Sequence, residues 1–250
     1  MGLGRFFQSR QAAPVICGWL ILGTISAFWV PSAKGFEVPD LARILFFHLP
    51  CALLAPIALL WAAFLGGRFL SKREPLDGIR LSVTWEICAL FAILALTTGM
   101  VFSEVQWRSW WSWDPRQTSF LLVNLILFAG LVLKGSIADR EKSSTSLAGY
   151  ALVTMLPSIF LTFVYPRLPN VISLHPSNTI AQGGLDGSYK SVLYLCFFGF
   201  AALGYHLYSL RIRTELLRLS IENYGNMETH RNRSTGDGPT GPVVVPKGRS

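Results

Sequence analysis

Six apolar runs divide the chain: Pro14–Val30, Ile44–Gly66, Ser82–Phe102, Thr118–Leu133, Leu147–Tyr165 and Val192–Leu210. Each is close to the roughly 20 residues that carry a helix across a bilayer. Charged, glycine and proline residues gather between them. With no water to satisfy the backbone, such runs must be helices, since the alternative is a closed barrel. The pattern therefore predicts an all-α polytopic membrane protein with six transmembrane helices. Pro50 and Pro56 fall inside the second run, where neighbouring helices can tolerate a kink. The fourth run is short, so the tryptophan-rich stretch ahead of it is expected at the interface, leading into that helix. The first run follows Arg5 and Arg10, but the bulky "AFWVP" at its end makes a poor cleavage site, so it counts as a spanning helix. Beyond the sixth run, "RIRTELLRLSIENY" is amphipathic and is expected along the inner surface. From about Asn226 the chain is rich in Gly, Pro, Ser, Thr and Arg, which predicts disorder. The organisation is thus a membrane domain over 1–222, with an outer loop at 103–118, and a cytoplasmic tail over 223–250.

Composition agrees. Of 250 residues 51% are hydrophobic and 14% charged, against about 25% charged in a soluble domain. The net charge of +8 does not point to nucleic acid, because the basic residues sit at the ends of apolar runs rather than on one patch. Their distribution orients the chain. The N-terminus, the loops 68–80 and 134–142, and the tail from Arg211 hold sixteen Lys and Arg; the other three connecting segments hold six. The positive-inside rule then puts both termini in the cytoplasm and turns 31–43, 103–117 and 166–190 outward. A bacterial inner membrane, with these loops facing the periplasm, fits that pattern. The four cysteines are scattered one per apolar run, without C-x-x-C, which argues against a zinc ribbon or a thioredoxin-like site. Without C-x-x-C-H the chain is not itself a c-type cytochrome. Cys51 shares a helix face with His48, three residues away.

Candidate chemistry collects on the outward side. His48, in "RILFFHLPC", and His175, in "VISLHPSNT", both fall there; His206 and His230 fall on the other side. Four of the eight tryptophans, Trp107, Trp110, Trp111 and Trp113, lie within seven residues, followed by Asp114 and Arg116. Two imidazoles and a broad indole surface suit a flat, apolar, iron-centred ligand. Haem iron takes axial imidazole nitrogen, indoles pack on a porphyrin, and guanidinium binds carboxylates such as propionates. Arg43 lies five residues before His48 and Arg116 follows Asp114. Each residue alone also has a plainer reading: polar interface histidines, belt tryptophans, a snorkelling Arg43, and an Asp114 that caps the fourth helix or pairs with Arg116.

The stretch "WRSWWSWDPRQT" resembles the signature W-G-x-W-W-x-W-D-x-R-L-T of the haem-handling protein family of cytochrome c maturation. Six helices in such a length resemble its CcmC branch of haem exporter or haem-transfer proteins. "RILFFHLPCALLAP" and "ISLHPSNTI" are similar to the segments that carry that family's two axial histidines. The resemblance covers roughly residues 14–210. It implies haem b as the bound group, with His48 and His175 as axial ligands of its iron. It implies Arg43 and Arg116 against the propionates. Trp107, Trp110, Trp111, Trp113 and Asp114 become a platform that presents haem to a periplasmic haem chaperone. It also implies a small single-helix membrane partner and an ATP-binding-cassette complex. The action expected is haem transport by ligand exchange, not enzymatic turnover. Arg108 stands where the family usually has glycine and Gln117 where it has leucine, and Pro115 stiffens the turn before Arg116. Other readings are a synthetase-type protein that attaches haem to apocytochrome, whose chains tend to be longer, and a redox cytochrome or transporter. The last usually shows ionisable groups at mid-membrane, where this chain has few.

Overall fold

A computed structural model of the chain describes residues 6–7, 9, 11–33, 36–175 and 185–235, with backbone alone for 229–235. All regular structure among them is helical. Six helices are long and apolar enough to cross a membrane. They are α1 (Ala12–Trp29), α2 (Leu45–Lys72, entered by a 3-10 turn at Leu41–Ile44), α3 (Pro75–Trp107), α4 (Pro115–Ser136), α5 (Arg140–Ile159) and α6 (Gly187–Thr235). The helix α5 is prolonged by a π segment at Phe160–Val164 and a 3-10 turn at Tyr165–Arg167. Residues up to Leu210 form one compact unit, and those from Arg211 a second.

The six predicted runs are these six helices, each longer than its apolar run. Polar residues extend a helix at no cost where it leaves the hydrocarbon. The helix α2 continues through both Pro50 and Pro56. In α6 the helix runs to Thr235, with Arg211–Glu215 and Arg218–Glu222 paired one turn apart. The remainder of the predicted tail, 236–250, lies outside the described residues.

The core is built where α2, α3, α4 and α5 meet. Its centre is Trp85 of α3, wholly buried, whose indole N–H donates to the Leu127 carbonyl of α4 at 3.0 Å. The indole lies directly on the α4 backbone at Gly130. A Cβ added at Gly130 would stand 2.5 Å from the ring. Gly130→Ala is therefore expected to cost about 1–3 kcal/mol, the usual penalty of overpacking, read as a lower thermal midpoint in detergent. A second cluster joins α1, the start of α2 and the start of α6 around Phe46 and Tyr189. Their rings lie 4.3 Å apart, and the Tyr189 hydroxyl donates to the Ala42 carbonyl.

Two groups of charges within the bundle are paired. Asp77, fully buried at the start of α3, meets Arg68 at 2.9 Å and Arg80 at 3.5 Å, tying α2 to α3. Glu86 of α3 pairs with Lys134 of α4. Outside the core, bulky apolar side chains are exposed along every helix, among them Trp29 at 85% and Val153 at 75%. Apolar surface on this scale needs a lipid solvent.

Candidate functional site

The site forms at the end of the bundle where α2 begins, α3 ends and α4 begins. His48 lies in the first turn of α2, and its ring rests on α3. Its Nδ1 is 3.0 Å from the Ala95 carbonyl and 3.2 Å from the Thr98 hydroxyl. That hydroxyl already donates to the Leu94 carbonyl at 2.6 Å, so toward His48 it can only accept. A carbonyl also only accepts. Nδ1 must therefore carry the proton, which leaves the Nε2 lone pair free. Gly99 makes the seat possible, since a Cβ there would come within 3.0 Å of the ring.

His175 arrives from the segment after the 3-10 turn. Its Nδ1 is 2.9 Å from Asp114 Oδ1. A carboxylate accepts, so here too Nδ1 carries a proton, and in the neutral ring the lone pair is on Nε2. The two imidazoles share one neighbour, the buried phenyl of Phe102. Its centroid is 6.4 Å from each, with planes tilted 12° from His48 and 28° from His175. Trp107, the last residue of α3, closes the group at 4.9 Å from His175 and 5.4 Å from Phe102.

Asp114 is where the tryptophan loop and the His175 segment are joined. It is 4% exposed. Oδ1 accepts from His175 Nδ1 and from the Arg116 N–H at 2.8 Å; Oδ2 accepts from the Ser173 hydroxyl at 2.9 Å and the Leu174 N–H at 2.6 Å. Four donors fill the roughly four lone-pair sites of a carboxylate. Burial by itself pushes this carboxyl up, but His175 and the backbone N–H groups of Arg116 and Leu174 outweigh it and hold the group well below the usual carboxylate range. Asp114 is at once the N-cap of α4, with Pro115 following at the first helical position.

The loop itself is pinned by residues that look unremarkable in sequence. Gln117, buried, accepts from the Ser112 N–H and hydroxyl and donates to the Trp110 carbonyl. Ser103 donates to the Ser109 carbonyl, and Ser109 to that of Trp111. The departure from leucine at 117 thus adds three hydrogen bonds to the loop. Arg108 takes the left-handed conformation at φ 55°, as does Trp113. For Arg108 this is the helix end at which glycine is easiest. Trp113 holds it in mid-loop, where a non-glycine residue is uncommon.

The structure divides the predicted platform. Trp107 belongs with the imidazoles. Trp111 is half-buried and meets Trp113 edge to face at 5.7 Å. Trp110 and Trp113 are exposed, at 55% and 73%. Asp114 is buried and offers no surface. Arg116 has two guanidinium nitrogens, Nε and Nη2, buried with no partner among the described residues. Its chemistry fits a carboxylate brought by a ligand. Arg43 is directed elsewhere: Nη1 donates to the carbonyls of Ala27, Phe28 and Val30, capping the C-terminus of α1. His206 is bonded to the Phe7 carbonyl, and the side chain of His230 lies outside the described residues. Sequence reasoning missed Phe102, Thr98 and Gly99. The one signal was the polar break "TTG" inside an apolar helix.

Comparison with known proteins yields one family. The model of the family described as heme exporter protein C matches residues 6–225. Similar relatives carry that name in Paracoccus denitrificans (25% identical, covering 86% of this chain and 90% of the relative), Escherichia coli K12 (26%, 81% and 86%) and Rhodobacter capsulatus (27%, 85% and 87%).

Proposed function

Because the chain belongs to the heme exporter protein C family, we propose that it holds haem b between His48 and His175 and passes it to a periplasmic haem chaperone in c-type cytochrome biogenesis. The observation that carries this reading is the matched pair of imidazoles. Two segments 127 residues apart in sequence place their rings on one phenyl. Each ring, in its neutral form, has its proton committed at Nδ1 and its lone pair free at Nε2. A hydrogen bond on the far nitrogen is what orients and strengthens a metal-binding imidazole.

The remaining parts follow the shape of the cargo. Phe102 and Trp107 supply apolar walls for a porphyrin. The two unpartnered nitrogens of Arg116 receive a propionate. Trp110 and Trp113, exposed on the loop, form the surface toward the acceptor. Transfer is ligand exchange at iron and needs no covalent catalysis by this chain. The excess of Lys and Arg in the N-terminus, the loops 68–80 and 134–142 and the tail from Arg211 supports a cytoplasmic location for both termini, with the site on the periplasmic side of a bacterial inner membrane. A single-helix partner and an ATP-binding-cassette complex complete the assembly.

The test is optical. Hemin added to the purified protein is expected to give a six-coordinate, low-spin spectrum. That spectrum is expected to disappear in His48→Ala and in His175→Ala and to persist in His206→Ala. An unchanged spectrum in either of the first two variants removes that histidine from the iron.

A further inference from the structure

Resting on that reading, we propose that the two ligands are not equivalent: His175 is the one that the acceptor displaces, and His48 keeps the iron until transfer is complete. The difference lies in what holds each ring. The seat of His48 is made by two packed spanning helices. Its anchors are a backbone carbonyl and a hydroxyl of α3, and the α3 backbone at Gly99 lies against the ring. Every one of these contacts is with α3, against which α2 packs. His175 sits outside any helix, and its Nδ1 anchor is a single carboxylate carried by a different segment, the tryptophan loop.

An acceptor reaches His175 first. Ile172 and Leu174 beside it are 91% and 52% exposed, and Trp113 is exposed immediately before Asp114. Trp113 also holds the left-handed conformation in the loop. Asp114, the partner that strengthens the iron bond of His175, is the residue that follows Trp113, so an acceptor on Trp113 lies next to that anchor. In the exchange, iron gives up the Nε2 lone pair of His175 and gains a lone pair from an imidazole of the acceptor. Both are neutral two-electron donors. No electron moves, the oxidation state of iron is unchanged, and His175 keeps its Nδ1 proton.

The experiment uses the full-length protein in detergent, with hemin as cargo and free imidazole standing in for the acceptor's side chain. His175→Ala is expected to retain hemin as a five-coordinate species, and imidazole to restore the six-coordinate spectrum. His48→Ala is expected to lose the hemin band, with no recovery on adding imidazole. His48→Gln, which fills the seat with a poor iron ligand, is expected to behave like His48→Ala, separating loss of the ligand from collapse of the seat. Equal loss in the His48 and His175 variants, or the reverse asymmetry, overturns this assignment while leaving the ligand pair intact. Hemin spectra unchanged by all three variants overturn the ligand pair itself.

Discussion

Asp114→Asn is expected to disconnect the second imidazole from the bundle while leaving the six helices folded. The carboxylate accepts four hydrogen bonds, two to each oxygen. An amide has one acceptor oxygen, and its NH2 group is itself a donor. Whichever way the side chain is turned, a backbone N–H, that of Arg116 or that of Leu174, faces another donor in a site that is 4% exposed. A buried donor left unsatisfied in this way costs about 1–3 kcal/mol. That cost falls on the contact between the tryptophan loop and residues 173–175, because the core around Trp85 shares no partner with it. The expected result is faster amide hydrogen exchange over 108–114 and 171–175, with exchange in α2 and α3 unchanged. With hemin bound, the six-coordinate fraction is expected to fall in favour of a five-coordinate one. Unaltered exchange in both loops would show that the carboxylate does not join them.

Arg116→Met is expected to act in opposite directions on the empty and the loaded protein. Two guanidinium nitrogens of Arg116 are buried without a partner among the described residues. Asp114 is near, but its acceptor sites are already taken. A buried polar group left unsatisfied costs about 1–3 kcal/mol, and more when charged. Methionine fills a comparable volume without that charge, so the empty variant is expected to be the more stable by about this amount, read as a higher thermal midpoint. Hemin binding is expected to weaken by about 2 kcal/mol or more, roughly thirtyfold in Kd, as when one partner of a desolvated charge pair is removed. Lysine at this position should recover only part of the affinity, since it offers a point charge rather than a fork. A variant that is less stable when empty, or that binds hemin as tightly as the parent, removes Arg116 from the cargo site. The pairing of gain and loss is what a residue kept for binding, at the expense of folding, should show.

Comparing Arg43 with Arg116 shows why roles were harder to read than positions. Both arginines lie near a ligand segment in sequence. In the fold, Arg43 turns to the carbonyls that end α1, whereas two nitrogens of Arg116 are buried with no acceptor among the described residues. A guanidinium goes where unpaired acceptors are, and the acceptors here belong to a helix end 13–16 residues earlier in the chain. The tryptophans divide in the same way. All four stand in one short motif, but only Trp107 reaches His175, because α3 ends at that residue and the chain then turns away.

The order of apolar and charged residues alone determined that the chain forms six helices and, the end of α6 apart, where each begins and ends to within a few turns, and it placed His48, His175 and the tryptophan loop at one end of the bundle. The physical reason is that a bilayer leaves a backbone no alternative to local hydrogen bonding, so the length of an apolar run is enough to specify a helix. Only the tertiary structure decided that both imidazoles flank Phe102, that Asp114 is a buried junction with four donors, and that two guanidinium nitrogens of Arg116 are buried without a partner among the described residues. Those facts depend on which side chains from distant segments compete for the same donors, acceptors and space. That competition is settled by packing between helices, and no local pattern along the chain encodes it.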